Sequence, residues 1–465
     1  MKREKSKSTR PVNQVRIEFT NKPITAWGGV GSLIARYVEK IDLRSWVNQH
    51  LPIQELSNNA KGVYEKVLAS FLTVLVGGER FAHLLLWQHG VEAMQKTFAV
   101  EWLPKASSTI TRFWKKIHSQ SLAEQVGDAT RSLARQIVGW EGIPSDNLNL
   151  DSTVLTRYGE QQGAQKGYNP KKRGRPSHHP LLAFLGSGYV VNLWNRSGNT
   201  SSGQSAREFF QQTVLALGTG FSIRRVLCDS GFYLIDFIRH LENEGYLYVI
   251  AVPLFPIIQE QVRRIAHWTP MAKGIEVGEF AFEHLDEKWT QKRRYVVVRK
   301  SVKSRPQAVG KQLWFFESGE AVEYRLSVMI TNDSESTPQT IWEEYRPRAN
   351  DENVIKDLKE GYGFAAFNLD NFWATEAFMQ MNALIFHNLI HYLNRNILNG
   401  KRPQEQMKTL RNKYLIVPAQ LGSGGGYFYL RIGIQNKKFR SQFKYKLEQI
   451  SRLPERVNCN AFAGP

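Results

Sequence analysis

The sequence predicts a multidomain protein, with a helical N-terminal part followed by an α/β core that is interrupted by a mostly β segment. Three observations predict this. From about 28 to 138, apolar residues recur at three- and four-residue spacing. After Pro144 the texture changes to short runs rich in Leu, Val and Thr, alternating with amphipathic stretches. Between about 270 and 332, strand-like runs follow one another with no helical pattern between them. A chain of 465 residues also exceeds the usual single-domain size.

Residues 1 to about 20 read as a basic arm. GSLIARYVEKIDLRSWVNQHL and the more apolar VYEKVLASFLTVLVGGERFAHLLLWQ follow as helices. PKASSTITRFWKKIHSQ reads as another helix, with Pro104 near its start and Ser107 or Ser108 as its cap. LNLDSTVLTRYG is a strand, and HPLLAFLGSGYVVNLWNRSG a hairpin turning at Ser187-Gly188. SAREFFQQTVLALG is an amphipathic helix, IRRVLCDSG a strand, FYLIDFIRHLENEG a helix and YLYVIAV a strand. Strands first, then strand and helix in alternation, is the order of a ribonuclease H-like α/β core. EVGEFAFEHL, RRYVVVRKSV, KQLWFFESG and EYRLSVMITN make the β-rich insertion. Helical sequence resumes at PQTIWEEYRPRANDENVIKDLKEGYG and continues in NFWATEAFMQMNALIFHNLIHYLNRNIL. The remainder is basic and loosely patterned. The expected division is a basic arm and helical region over 1–140, the first part of the core over 145–265, the insertion over 266–335, the last part of the core over 336–400, and a basic C-terminal region over 401–465.

Lys and Arg number 62 against 42 Asp and Glu, a net charge of +20. A clustered excess of that size points to a polyanionic partner rather than to solubility alone. No apolar run approaches the roughly 18 residues of a spanning helix, so nucleic acid is favoured over membrane. The basic start is followed by polar residues and is not a signal peptide. Two cysteines, Cys228 and Cys459, exclude a disulfide framework or a zinc cluster and fit a reducing cytoplasm. Cys228 reads as a small buried residue.

Tyr345, Arg348, Glu352 and Lys359 stand at offsets that fall within about 60° of one another on an ideal helix. A carboxylate there can hold Mg²⁺, Arg and Lys can hold phosphate oxygens, and Tyr can stack or donate a hydrogen bond. The plainer reading is a solvated helix with charge pairs, as Lys356 and Glu360 make. Pro347 means that the helix either starts near Arg346 or kinks there. Asp151 sits among Leu148, Leu150, Val154 and Leu155, a costly place for a charge that is neither paired nor metal-bound. Asp229 ends a strand before Ser230 and Gly231, where α/β folds place their sites. Asp151 as a turn residue and Asp229 as a helix cap are the alternatives. Asp146 reads as a turn residue and Asp370 as a helix cap.

KGYNPKKRGRPSHH places Lys166, Lys171, Lys172, Arg173 and Arg175 in one loop, suited to phosphate contact. Arg173-Gly174-Arg175-Pro176 also has the form of a minor-groove AT-hook core. His178 and His179 read as DNA-facing or solvated. SSTITRFWKKI is either a recognition helix presenting Thr111, Arg112, Lys115 and Lys116, or an ordinary helix packed through Ile110, Phe113, Trp114 and Ile117. His387 and His391 are one turn apart, but HNLIH lacks the Glu of a zinc motif and reads as core.

The spacing Tyr-x2-Arg-x3-Glu-x6-Lys, met at Tyr345, Arg348, Glu352 and Lys359, resembles the signature of DDE transposases from bacterial insertion sequences. GAQKGYNPKK and NRSGNT resemble one branch of that group, and the likeness runs from about Asp151 to Asn396. The resemblance implies a ribonuclease H-like catalytic core in which Asp151, Asp229 and Glu352 bind two Mg²⁺ or Mn²⁺ ions. It implies cleavage at terminal inverted repeats and joining of the 3′-hydroxyl ends to target double-stranded DNA. A homodimer in the synaptic complex, a place at the bacterial nucleoid, and an insertion aromatic that takes up a flipped base (Trp289 or Trp314) are further implications. A nuclease that cuts without joining, and a non-catalytic regulator derived from a transposase, are the alternatives.

Overall fold

The computed structural model of the chain describes residues 19–55, 60–170, 172–284, 289, 291–302, 323–367, 369–400 and 405–454. The basic arm up to residue 18, Lys171, Trp314 with the expected strand KQLWFFESG, and Cys459 lie outside the described residues.

In chain order the strands are β1 (Ile24–Thr25), β2 (Ser145–Ser152), β3 (Leu155–Thr156), β4 (Gln165–Lys166), β5 (Pro176–His178), β6 (Leu181–Leu185), β7 (Val190–Trp194) and β8 (Ser222–Cys228). There follow β9 (Tyr248–Ala251), β10 (Thr269–Ala272), β11 (Ile275–Phe282), β12 (Arg293–Val302), β13 (Glu323–Thr331), β14 (Ala419–Gly424) and β15 (Tyr427–Ile432). Nine of them form one sheet in the order β10-β11-β12-β13-β9-β8-β2-β6-β7. β8 runs parallel to both β2 and β9, and the remaining pairings are antiparallel. Strands β10 to β13 therefore do not close a sheet of their own. β13 pairs with β9 and extends the sheet that carries Asp151. β2 is central, and both of its faces are buried, Leu148 and Leu150 on one and the polar Asn149 and Asp151 on the other.

The N-terminal part is helical, as its periodicity predicts. Its long helix Gln120–Trp140 packs on β7 and on the helix Phe372–Gln380. Ala106, not Ser107 or Ser108, takes the N-cap position of the helix Ser107–Trp114, without a side-chain cap hydrogen bond. Its apolar face is the buried one: Ile110, Phe113, Trp114 and Ile117 all lie in the core. The helix Phe372–Gln380 starts at Asn371, whose side chain accepts from the Ala374 amide. Asp370 is thus not the cap; it pairs with Lys115. That helix continues through a wider π-type turn, Met381–His387, into Asn388–Leu393, and nearly all of it is buried. A helix apolar all round must sit inside the molecule. His387 and His391 lie there, with His391 Nε2 2.9 Å from the Ser187 carbonyl. Burial pushes their pKa values down to about 3 and about 4.

The C-terminal region is more ordered than its pattern suggests. β14 and β15 form a hairpin, β14 pairs with β1, and Asn436 caps a 15-residue helix, Lys437–Ser451. The thirteen basic residues of 401–465 are no obstacle to packing that comes from Phe443, Ile450 and the N-terminal helices. Among the described residues no helix is long and apolar enough to cross a membrane.

One ion network ties the sheet to the helix Pro338–Tyr345. Arg225 on β8 bonds Asp333 at 2.5 Å, Ser336 at 3.0 Å and Glu344. Burial alone would raise the Asp333 pKa, but the bonds from Arg225 and Ser336 outweigh it and hold the carboxyl well below its usual range. Replacing Arg225 by Ala strands a buried carboxylate and is expected to cost about 3–5 kcal/mol, read as a fall in melting temperature at neutral pH. A depressed carboxylate contributes stability above its unfolded pKa of about 4 and loses it as pH falls. The gap between wild type and Arg225→Ala should therefore narrow in acid, where protonation relieves the variant's unpaired charge. An unchanged melting temperature at pH 7 would show that the network carries no net stability.

Candidate functional site

Side chains along β2 alternate between its two faces, so Asn149 and Asp151 point the same way. β2 lies parallel to β8 with Leu150 opposite Cys228, which sets Asp151 and Asp229 side by side at the carboxyl ends of neighbouring strands. Onto this edge comes the start of the helix Ala349–Gly361. Arg348, its N-cap residue, reaches Asp151 Oδ2 at 3.1 Å. Asn149 Nδ2 donates to Asp351 Oδ1 at 2.9 Å across 202 residues of sequence.

Pro347 settles the helix geometry. The helix Pro338–Tyr345 ends, Arg346–Arg348 form a 3₁₀ turn, and a second helix begins at Ala349. Tyr345, Arg348, Glu352 and Lys359 consequently do not share one straight helix face, because proline cannot continue the α ladder. They converge in part despite the break. The Tyr345 hydroxyl donates to the Cys228 carbonyl at 3.0 Å, next to Asp229. Lys359 Nζ donates to Thr153 Oγ1 at 2.5 Å and lies 3.4 Å from the Val154 carbonyl, just past Asp151. Glu352 is exposed in the first turn, where a carboxylate suits the helix dipole. Asp229 accepts from the Gly231 amide at 2.9 Å, so it also caps the short turn after β8.

The electrostatics bind these groups into one site. Burial pushes the Asp151 pKa up to about 6. Arg348 opposes that shift, while the negative charges of Asp229 and Glu352 reinforce it. Burial would lower the Arg348 pKa, but Asp151, Tyr345, Asp229 and Asp351 outweigh it and hold the guanidinium well above its usual value. Burial raises Tyr345 to about 12. Asp351 was not among the sequence candidates. It is buried, raised to about 7 chiefly by burial, and its Oδ2 has no hydrogen-bond partner. The signal for it lay in Asn149, two residues before Asp151 and thus on the same strand face.

Over residues 7–455 the chain matches the family description transposase DDE domain group 1. The chain belongs to this family. No curated protein matches it. Among solved structures it is similar to the cryo-EM structure of a piggyBac transposase synaptic complex with hairpin DNA, at 14% identity. That match covers 93% of this chain and 85% of the other, with a TM-score of 0.42.

DDE transposases generally use divalent metals, and the oxygen donors at this sheet edge are of the kind such ions prefer. Raised carboxyl pKa values at Asp151 and Asp351 mark a cluster that favours added positive charge. In the structure Arg348 balances Asp151. Among the described residues, no three acids, histidines or cysteines lie close enough together to hold one ion.

The other candidates of this family member are scattered. The basic loop is not free of regular structure: β4 and β3 flank β5, so Lys166 and Pro176 belong to a small three-stranded sheet. Lys172, Arg173 and Arg175 are exposed beyond it. His178 and His179, expected to face DNA or solvent, are buried. His178 accepts from Arg157, and His179 Nε2 lies 3.0 Å from Ser152 Oγ. The segments GAQKGYNPKK and NRSGNT meet backbone to backbone. A Cβ on Gly167 would lie 2.0 Å from the Gly198 carbonyl oxygen, so that approach requires glycine. Arg112 is exposed on its helix, while Lys115 is paired with Asp370 at 2.6 Å and Lys116 with Glu55 at 2.9 Å. Trp289 is half-buried, with its ring 5.0 Å from that of Tyr233, four residues past Asp229, and 4.5 Å from His284.

Proposed function

We propose that the chain is a DNA transposase of a bacterial insertion sequence, with a ribonuclease H-like core, an insertion over 266–335, and Asp151, Asp229 and Glu352 as its catalytic carboxylates. The observation that carries this reading is the edge of β2 and β8. Two aspartates there end adjacent parallel strands, and the Tyr345–Lys359 segment is brought over them from some 200 residues away. Membership of the DDE family supports the same assignment.

In this reading Asp151, Asp229 and Glu352 hold two Mg²⁺ or Mn²⁺ ions. Ions held by these carboxylates would supply Lewis-acid chemistry for activating water and the freed 3′-hydroxyl. Arg348, which faces Asp151, offers a planar fork that would hold a phosphate bidentately. Lys359, fixed against Thr153 and Val154, holds the next stretch of backbone as a point charge. Tyr345 anchors the Cys228 carbonyl and thereby the position of Asp229. The basic loop with Lys166, Lys171, Lys172, Arg173 and Arg175, and the exposed cations Arg112 and Lys115, contact the terminal inverted repeats. Two chains pair two ends.

The test is to incubate the full chain with Mg²⁺ and duplex DNA carrying its own flanking inverted repeats. Nicked ends and joined products are expected. Nicks without joined products would leave a nuclease, and binding with neither would leave a DNA-binding regulator.

A further inference from the structure

Beyond Asp151 the chain leaves β2 and runs through Val154–Gly159 along a cavity of about 580 Å³, within the range of small-ligand sites. Val154 lies three residues past Asp151, about 10 Å of extended chain, so the cavity adjoins the acid cluster. Arg80, Phe81, Lys359 and Ala365–Ala366 supply its other walls. Among the described residues that line it there is no Asp or Glu, whereas three are cations: Arg80, Arg157 and Lys359.

Arg157 adds buried positive charge behind this wall. It is 2% exposed; its Nε donates to His178 Nδ1 at 3.1 Å and its Nη1 to the Ala365 carbonyl at 2.8 Å. Its Nη2 is buried without a hydrogen-bond partner, and the two groups that accept from the other nitrogens are uncharged. A guanidinium withdrawn from water without a counter-anion is unfavourable unless an anion arrives. Burial pushes its pKa down to about 10, the same unmet demand seen in another way. Around these cations the cavity is apolar at Phe81 and Leu155, and the Tyr158 ring stands 73% exposed at its side. Cations beside an apolar wall and an open aromatic face suit the two halves of a nucleotide: its phosphate, and its sugar and base.

We propose that this cavity is a subsite for a single DNA strand running on from the carboxylates. The phosphate sits beside Arg80 and Lys359, with the buried charge of Arg157 behind them, and the base lies against Tyr158. The inference rests on the DNA-processing reading above, and it gives the helical N-terminal part, through Arg80 and Phe81, a direct hold on that strand.

The test uses the full chain in EDTA, so that carboxylate chemistry plays no part, with a fluorescein-labelled oligothymidylate read by anisotropy over a series of salt concentrations. Arg80→Gln and Tyr158→Ala alter exposed side chains and are expected to fold. Arg80→Gln should weaken binding roughly 5- to 10-fold and lower the salt slope by about 0.7, the loss of one single-strand phosphate contact. Tyr158→Ala should weaken it roughly 5-fold or more with the slope unchanged. An oligonucleotide carrying 5-iododeoxyuridine should cross-link under ultraviolet light to the peptide that contains Tyr158. Unchanged affinity and slope in both variants, or cross-links confined to other peptides, would overturn the subsite. A wild type that cross-links at Tyr158 yet never nicks or joins its end DNA would instead overturn the transposase reading and leave the subsite standing.

Discussion

Glu352→Gln is expected to lower cutting and joining of end DNA by at least about 10³-fold, roughly 4 kcal/mol of transition-state stabilisation. DNA binding should change little, because the substitution keeps the shape of an exposed side chain in the first turn of Ala349–Gly361 and removes only a charge. The decisive comparison is with Asp351→Asn, measured on the same DNA in Mg²⁺. Asp351 stands next to Glu352, is buried, and is tied to Asn149 on β2. If Asp351→Asn abolishes activity while Glu352→Gln remains active, the third carboxylate has been assigned one residue too late. If both are lost but only Asp351→Asn also lowers the melting temperature, Asp351 acts by docking the helix onto the strand of Asp151.

Trp114→Ala should cost about 3–5 kcal/mol of stability, the usual range for emptying a fully buried aromatic site. The ring lies 5.2 Å from Phe378 on the helix Phe372–Gln380 and 5.2 Å from Phe113. Its indole N–H donates to Ser70 Oγ at 3.0 Å, a buried hydroxyl that the substitution would leave without its donor. Thermal melting reads the effect, and Trp114→Phe, which keeps most of the volume, should recover the larger part of it. A melting temperature unmoved by Trp114→Ala would mean that this helix is not packed as described. The expected loss bears on the two readings of SSTITRFWKKI. The apolar face holds the helical part to neighbouring helices, which leaves Arg112, Lys115 and Lys116 on the exposed side, the two lysines paired with Asp370 and Glu55.

By itself the sequence determined what depends on local spacing. Helical periodicity over the N-terminal part, strands around Asp151 and Asp229, and the strands Ile275–Phe282, Arg293–Val302 and Glu323–Thr331 follow from patterns a few residues long. So does the break at Pro347, since a proline lacks the N–H that a helix needs wherever it stands. The Tyr345–Lys359 spacing was legible for the same reason, and it led to the family. Only the tertiary structure decided which side chains meet, because those pairings close loops of some 200 residues that no local pattern encodes. Asn149 finding Asp351, Arg348 finding Asp151 and Lys359 finding Thr153 are of this kind. The burial of His178 and His179 had the same origin, since a polar loop sequence does not reveal that β5 will be covered from both sides. Joining β13 to β9 was likewise a matter of edge pairing, in which backbone groups of any sequence can engage, and it made the β-rich segment part of the sheet that carries the acids.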